Sequence, residues 1–158
     1  MAHHEEAPLL FGQCHEGTGF FLDQRDNKTL LKSLADGRRV LNAFSYSGAF
    51  SVYALAGGAT SVDSVDISAS AAELATRNVV LNFGEHLRHT AVKADAFKFL
   101  AEMEQGKYDL IILDPPAFTK HISTVKKAAR GYKEINLKAM QRIAPGGLLF
   151  TYSCSQHI

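Results

Sequence analysis

Short apolar runs alternate with amphipathic stretches through most of this chain, and glycine, proline or a capping residue marks each changeover. Leu30, Leu31 and Leu34 fall on one side of a helix predicted over Asp26 to Ala35, closed by Asp36-Gly37. Arg38 to Ala43 reads as a first strand. Phe44-Ser-Tyr-Ser-Gly48 then turns into a helix of small residues ending at Gly57-Gly58. Ser61 to Asp66 is a second strand, and the helix after it has Ser70 and Glu73 at capping-box spacing. His89 to Lys93 is a third strand, followed by a helix from Ala96 to Glu104. Tyr108 to Leu113 is the fourth and most apolar strand. A long helix then stops before Pro145-Gly146-Gly147, where its hydrogen-bond ladder cannot continue, and Leu148 to Tyr152 forms a fifth strand.

Strands alternating with helices at this spacing predict an α/β fold, a parallel sheet with helices on both faces and ligands bound at the carboxyl ends of its strands. Residues 26–158 form one domain of this kind. Residues 1–25 stand outside the repeat as an amino-terminal extension. Its stretch Gly17 to Asp26 mixes aromatics with charges and reads either as a hairpin edge feeding the first helix or as a lip over the ligand site, where Arg25 offers a fork for a carboxylate.

With 158 residues, 46% of them hydrophobic, the chain is long enough to bury a substantial core. The apolar runs are too short to span a bilayer, and the amino end lacks a basic region followed by an apolar stretch. Cys14 and Cys154 are far apart without metal-ligand spacing, so they read as reduced intracellular thiols and the expected location is the cytoplasm. Net charge is only +1, but it is uneven. Residues 119–142 carry seven cations against Glu134, which leaves the rest of the chain at −5. Such a run is either a solvated helix face or a grip for a polyanion.

The turn after the first strand, Asn42 to Gly48, holds one glycine where a dinucleotide fingerprint has three, and no Gly-Lys-Ser/Thr follows it. Pyrophosphate is therefore a poor candidate ligand. Asp66, at the end of the second strand, can accept hydrogen bonds from two ribose hydroxyls. Asp95, at the end of the third, can accept from an adenine amino group, although either acid can also cap the helix that follows it. Asp114, on the stiff Asp114-Pro-Pro-Ala-Phe118 segment, ends the fourth strand. Three carboxylates at successive strand ends describe a pocket for a nucleoside without a phosphate tail. Cys154 follows the fifth strand. It is either a small core residue or a nucleophile, since thiolate addition at C6 of cytosine makes C5 reactive, and an acid at the N3/N4 edge would stabilise the adduct.

Together these segments resemble the class I S-adenosylmethionine-dependent methyltransferases, and within them the 23S rRNA cytosine-C5 methyltransferase family. The resemblance rests on Thr18 to Asp26, Leu41 to Phe50, Asp114 to Phe118 and Ser153-Cys-Ser155. It implies a Rossmann-like sheet of order 3-2-1-4-5, S-adenosylmethionine as cofactor, rRNA as partner and no metal. Around the cofactor it places Arg25, Phe44, Ser45, Tyr46, Gly48, Asp66, Ile67, Asp95, Ala96 and Asp114. Cys154 and Asp114 become the catalytic residues. A sister group that methylates guanine shares the early motifs without the cysteine, and a cofactor-binding fragment without activity is a further alternative. The family's usual lysine before Thr18 is Gly17 here, and its last two strands have no counterpart. Their absence leaves strand five as an expected bare edge, open to pairing in a homodimer.

Overall fold

The computed structural model describes residues 9–13, 18–85, 88–116 and 125–153. Six strands form one wholly parallel sheet: β1 (Leu9–Gln13), β2 (Arg39–Ala43), β3 (Ser61–Asp66), β4 (His89–Lys93), β5 (Leu110–Leu113) and β6 (Leu148–Ser153). Their spatial order is β1-β6-β5-β2-β3-β4. The five expected strands thus stand in the order expected, 3-2-1-4-5, with β1 added beyond the last.

That addition overturns the bare edge. β1 runs along β6 from Leu9 opposite Leu149 to Gln13 opposite Ser153, so the backbone groups expected to recruit a second copy are already paired. The basis for a homodimer through strand five is gone. The hairpin lip is corrected as well: helix α1 spans Thr18–Leu34, taking in Arg25. Residues 18–25 have no sustained two-residue alternation to hold a strand. A helix already nucleated over 26–34 gains a hydrogen bond with each residue added.

Strand pleating splits the core into two layers. Val40, Val62, Leu110, Ile112, Phe150 and Tyr152 face one side, under α1, α2 (Ala49–Ala56) and α3 (Ala69–Phe83). Leu41, Ala43, Val65, Ile111, Leu113 and Leu149 face the other, under α4 (Ala96–Glu102) and α5 (Val125–Arg142). All four residues of β5 are buried, as a central parallel strand covered on both faces requires. Each such Leu or Ile contributes about 1.5–3 kcal/mol by leaving water.

α3 starts two residues earlier than expected. Ser68 is its cap, accepting from the Ala71 N–H at 3.3 Å, and Ser70 lies inside the helix with its hydroxyl 2.9 Å from that of Ser68.

Candidate active site at the carboxyl edge of the sheet

Parallel order sends the carboxyl ends of β2, β3, β4 and β5 to one edge, and the predicted residues collect there. The loop after β2 is unusual. Phe44 (φ 58°), Tyr46 (φ 45°) and Gly48 (φ 77°) are all left-handed, so this turn repeats at i, i+2 and i+4 the backbone that glycines give a glycine-rich turn. Sequence alone shows only the last of the three. Each non-glycine residue held there costs about 1–2 kcal/mol. The loop tolerates this because it is pinned: Ser45 N–H donates to Val65 O (3.0 Å), Tyr46 N–H to Asp66 Oδ2 (3.0 Å), and Asn78 Nδ2 to Ser47 O (2.7 Å). At Gly48 a Cβ would stand 2.8 Å from the Cβ of Ala75, so the loop also needs glycine to lie against α3.

Asp66 is a hub. Its second oxygen accepts from the Ser68 N–H at 2.9 Å, and its carbonyl accepts from the Ala94 N–H at 2.9 Å, which ties the ends of β3 and β4 together. Asp95 accepts from the Phe97 N–H at 3.0 Å and caps α4. Asp95 therefore does cap, as the alternative reading held, whereas Asp66 braces the Ser68 cap from two residues before it, and each keeps lone pairs for a ligand. Phe44 closes the ring of loops by meeting Phe97 edge-to-face at 6.1 Å. Ile67, 69% exposed, sits beside Asp66, while Ala96 is buried.

Beneath the loop a polar chain crosses the core. Asn42 Nδ2 donates to Ser51 Oγ (2.9 Å), Ser51 meets Ser64 (2.6 Å), and Ser64 meets His89 Nε2 (2.8 Å). Asn42 Oδ1 and Ser45 Oγ are buried without a hydrogen-bond partner. Unsatisfied polar atoms under a binding loop fit a polar ligand that completes them.

Asp114 follows β5, with Pro115 buried behind it. Burial pushes its carboxyl up to about 6, and the charge of Lys28 offsets only part of that. Lys28, on α1, lies 5.9 Å from the Phe50 ring and 6.0 Å from the Tyr53 ring. Tyr152, stacked on Phe50 at 5.5 Å, has its hydroxyl pushed up by burial and by the Asp114 charge. Neither Lys28 nor Tyr152 stood out in the sequence, because their relation to Asp114 depends on three separate elements packing together. The side chain of Arg25 and the whole of Cys154 lie outside the described residues, and so does Lys120.

The basic run divides into two kinds of residue. Arg142 donates to Met103 O (3.0 Å) and Ala101 O (2.9 Å), satisfying carbonyls at the end of α4, and Lys138 pairs with Glu134 at 3.0 Å. Lys126, Lys127, Arg130 and Lys133 are exposed and have no ion pair among the described residues. Among those residues there is no group of side chains able to hold a metal, and no helix is long and apolar enough to cross a membrane.

A model of S-adenosylmethionine-dependent methyltransferases matches residues 9–157. The chain belongs to that family. It is 49% identical over 140 residues to the ribosomal RNA large subunit methyltransferase I of Aeromonas hydrophila, covering 87% of this chain and 35% of that protein. The Yersinia pseudotuberculosis protein of the same name is 46% identical over 155 residues, 96% of this chain and 39% of that one. This methyltransferase chain thus spans little more than a third of the curated relatives it matches. Among solved structures, SMU.776 complexed with SAH superposes with a TM-score of 0.70 at 32% identity, covering 85% of this chain and 36% of that one. A family member from Agrobacterium tumefaciens gives 0.64 at 27% identity, with 82% and 44% covered.

Proposed function

We propose that this chain is the catalytic core of a large-subunit rRNA methyltransferase that transfers a methyl group from S-adenosylmethionine to cytosine C5. The observation that carries the reading is Asp114, a half-buried acid with a carboxyl near 6, just after the strand beside the one that leads to Cys154. β5 and β6 are neighbours, with Leu113 opposite Thr151, so the chain leaves β6 next to Asp114. The named relatives support rRNA as the substrate.

S-adenosylmethionine supplies an electrophilic methyl group when bound. Loop residues Phe44, Ser45, Tyr46 and Gly48 would hold it, with Ser45 Oγ gaining the partner it lacks. The spare lone pairs of Asp66 suit ribose hydroxyls, Ile67 and Ala96 suit an adenine face, Asp95 suits its amino group, and Arg25 is assigned to a carboxylate. At the base, an acid with a carboxyl near 6 is protonated often enough at neutral pH to donate to N3. The Cys154 thiolate adds to C6 and moves the C5=C6 electron pair onto C5, while the bond from Asp114 stabilises the charge that develops. C5 can then take the methyl group, with the neutral thioether as leaving group, and loss of the C5 proton to a base restores the C5=C6 bond and expels the thiolate. The exposed cations of α5 would hold RNA phosphates.

The test is RNA containing 5-fluorocytosine, in which fluorine replaces the proton that must leave. The chain should form an adduct that survives denaturation and is visible by mass spectrometry, and Cys154→Ala should form none. Methyl transfer retained by Cys154→Ala would point to a guanine target, and no adduct with cofactor bound would sink the thiol chemistry.

A further inference from the structure

The two strained aromatics of the loop have different fates. Phe44 is half-buried against Phe97, so packing offsets its left-handed backbone. Tyr46 has the same backbone, yet its residue is 71% exposed. Among the described residues only its N–H is engaged, on Asp66, and a glycine would supply that group without strain. Neither packing nor backbone geometry accounts for a large aromatic ring at this position. Strain kept where the fold does not need it is a mark of function.

Beside the ring lies a cleft of about 330 Å³ lined by Tyr46 together with Ser68, Ser70, Glu73, Leu74 and Arg77 from the start of α3. That volume is at the small end of ligand sites and suits one nucleotide. Among the described residues neither Asp95 nor Asp114 belongs to the lining, so the cleft stands apart from both acids. Its chemistry is mixed in a way that fits RNA: an aromatic face, an apolar floor at Leu74, hydroxyls, an acceptor at Glu73 and a guanidinium at Arg77. Arg77 is exposed and makes no ion pair among the described residues. Single-stranded RNA is held by this combination of stacking on an aromatic ring and charge on the backbone.

We propose that Tyr46 is a stacking platform for an unpaired nucleotide flanking the target base, with Arg77 holding the phosphate of that nucleotide. The inference rests on RNA being the substrate, and it assigns Tyr46 a side-chain role distinct from that of its backbone. The target base would enter at Asp114, while its neighbour is splayed onto the opposite side of the 44–48 loop.

The chain has no tryptophan, so Tyr46→Trp places a single indole reporter at the platform. Titration with a short single-stranded RNA should quench its emission saturably. Adding Arg77→Ala should weaken that RNA by about tenfold and lower the slope of log K against log salt by about 0.7, the share of one phosphate on a single strand. Tyr46→Gly should bind RNA about tenfold more weakly while melting no lower than the parent, because glycine relieves the left-handed strain. A structural tyrosine would instead lose stability and leave RNA affinity alone. RNA that binds by gel shift without changing the indole emission, or that binds Tyr46→Gly undiminished, overturns the platform. An unaltered chain that binds no RNA at low salt overturns the substrate reading as well.

Discussion

Asp114→Asn offers a direct test of the electrostatics at the site, because stability and catalysis should move in opposite directions. A half-buried carboxylate raised from 3.8 to about 6 binds its proton more tightly in the folded chain than in the unfolded one. Below the lower value both states are protonated and the residue costs nothing. As pH rises between the two values, the unfolded chain ionises first and stability falls. Above about 6 the full penalty applies, roughly 3 kcal/mol at 1.36 kcal/mol per unit. Asparagine keeps the shape and removes the charge. The variant should therefore exceed the parent by about 1–3 kcal/mol near neutral pH, the lower figure allowing for amide hydrogens left unpaired. The advantage should vanish as pH approaches about 4. Urea denaturation of both proteins at about pH 7.5 and about pH 4 measures it through the midpoint at constant slope. Methyl transfer by the variant should be lost, since an amide cannot deliver a proton to N3. A variant less stable than the parent near neutrality, or an advantage independent of pH, would refute the claim that desolvation dominates at Asp114.

Ser51→Ala interrupts the buried Asn42–Ser51–Ser64 chain and leaves the Asn42 amide unpaired, so thermal melting should show a loss of about 1–3 kcal/mol. Replacing Lys126, Arg130 and Lys133 together by alanine should lower RNA affinity and reduce the salt slope by about 2, as filter binding at several salt concentrations would show. Arg142→Ala should leave that slope unchanged and lower the melting temperature instead, because its guanidinium is committed to the α4 carbonyls. Deleting residues 1–13 should strip β1 from β6 and produce concentration-dependent self-association in sedimentation, whereas the intact chain should show none through this edge.

The positions of Asp66, Asp95 and Asp114 were readable in advance because each is a local feature, an acid where an apolar run ends. The helix-capping duty of Asp95 was readable too, since a cap spans only two or three residues. Other predictions failed where local signals compete. Ser70 and Glu73 match a capping box, but Ser68 lies two residues earlier and reaches the Ala71 N–H first. Residues 18–25 look irregular in isolation, and continuity with the helix after them decides their state.

Fold class and the edge that carries the chemistry follow from the chain's own periodicity, because a parallel βα repeat leaves few ways to connect its parts, while the order of the five strands came from the resemblance to the methyltransferase family. Packing between distant segments decided the rest. Leu9 lies 140 positions from Leu149, and no local pattern announces that β1 covers β6. The backbone at Phe44 and Tyr46 is forced into glycine-like angles by bonds to β3, against the preference of both residues. Burial alone turned Asp114 from an ordinary carboxylate into an acid near 6, with Lys28 and Tyr152 brought to it from α1 and β6. Such properties depend on how much water is excluded and which charges are near, and both are set only once the layers have closed.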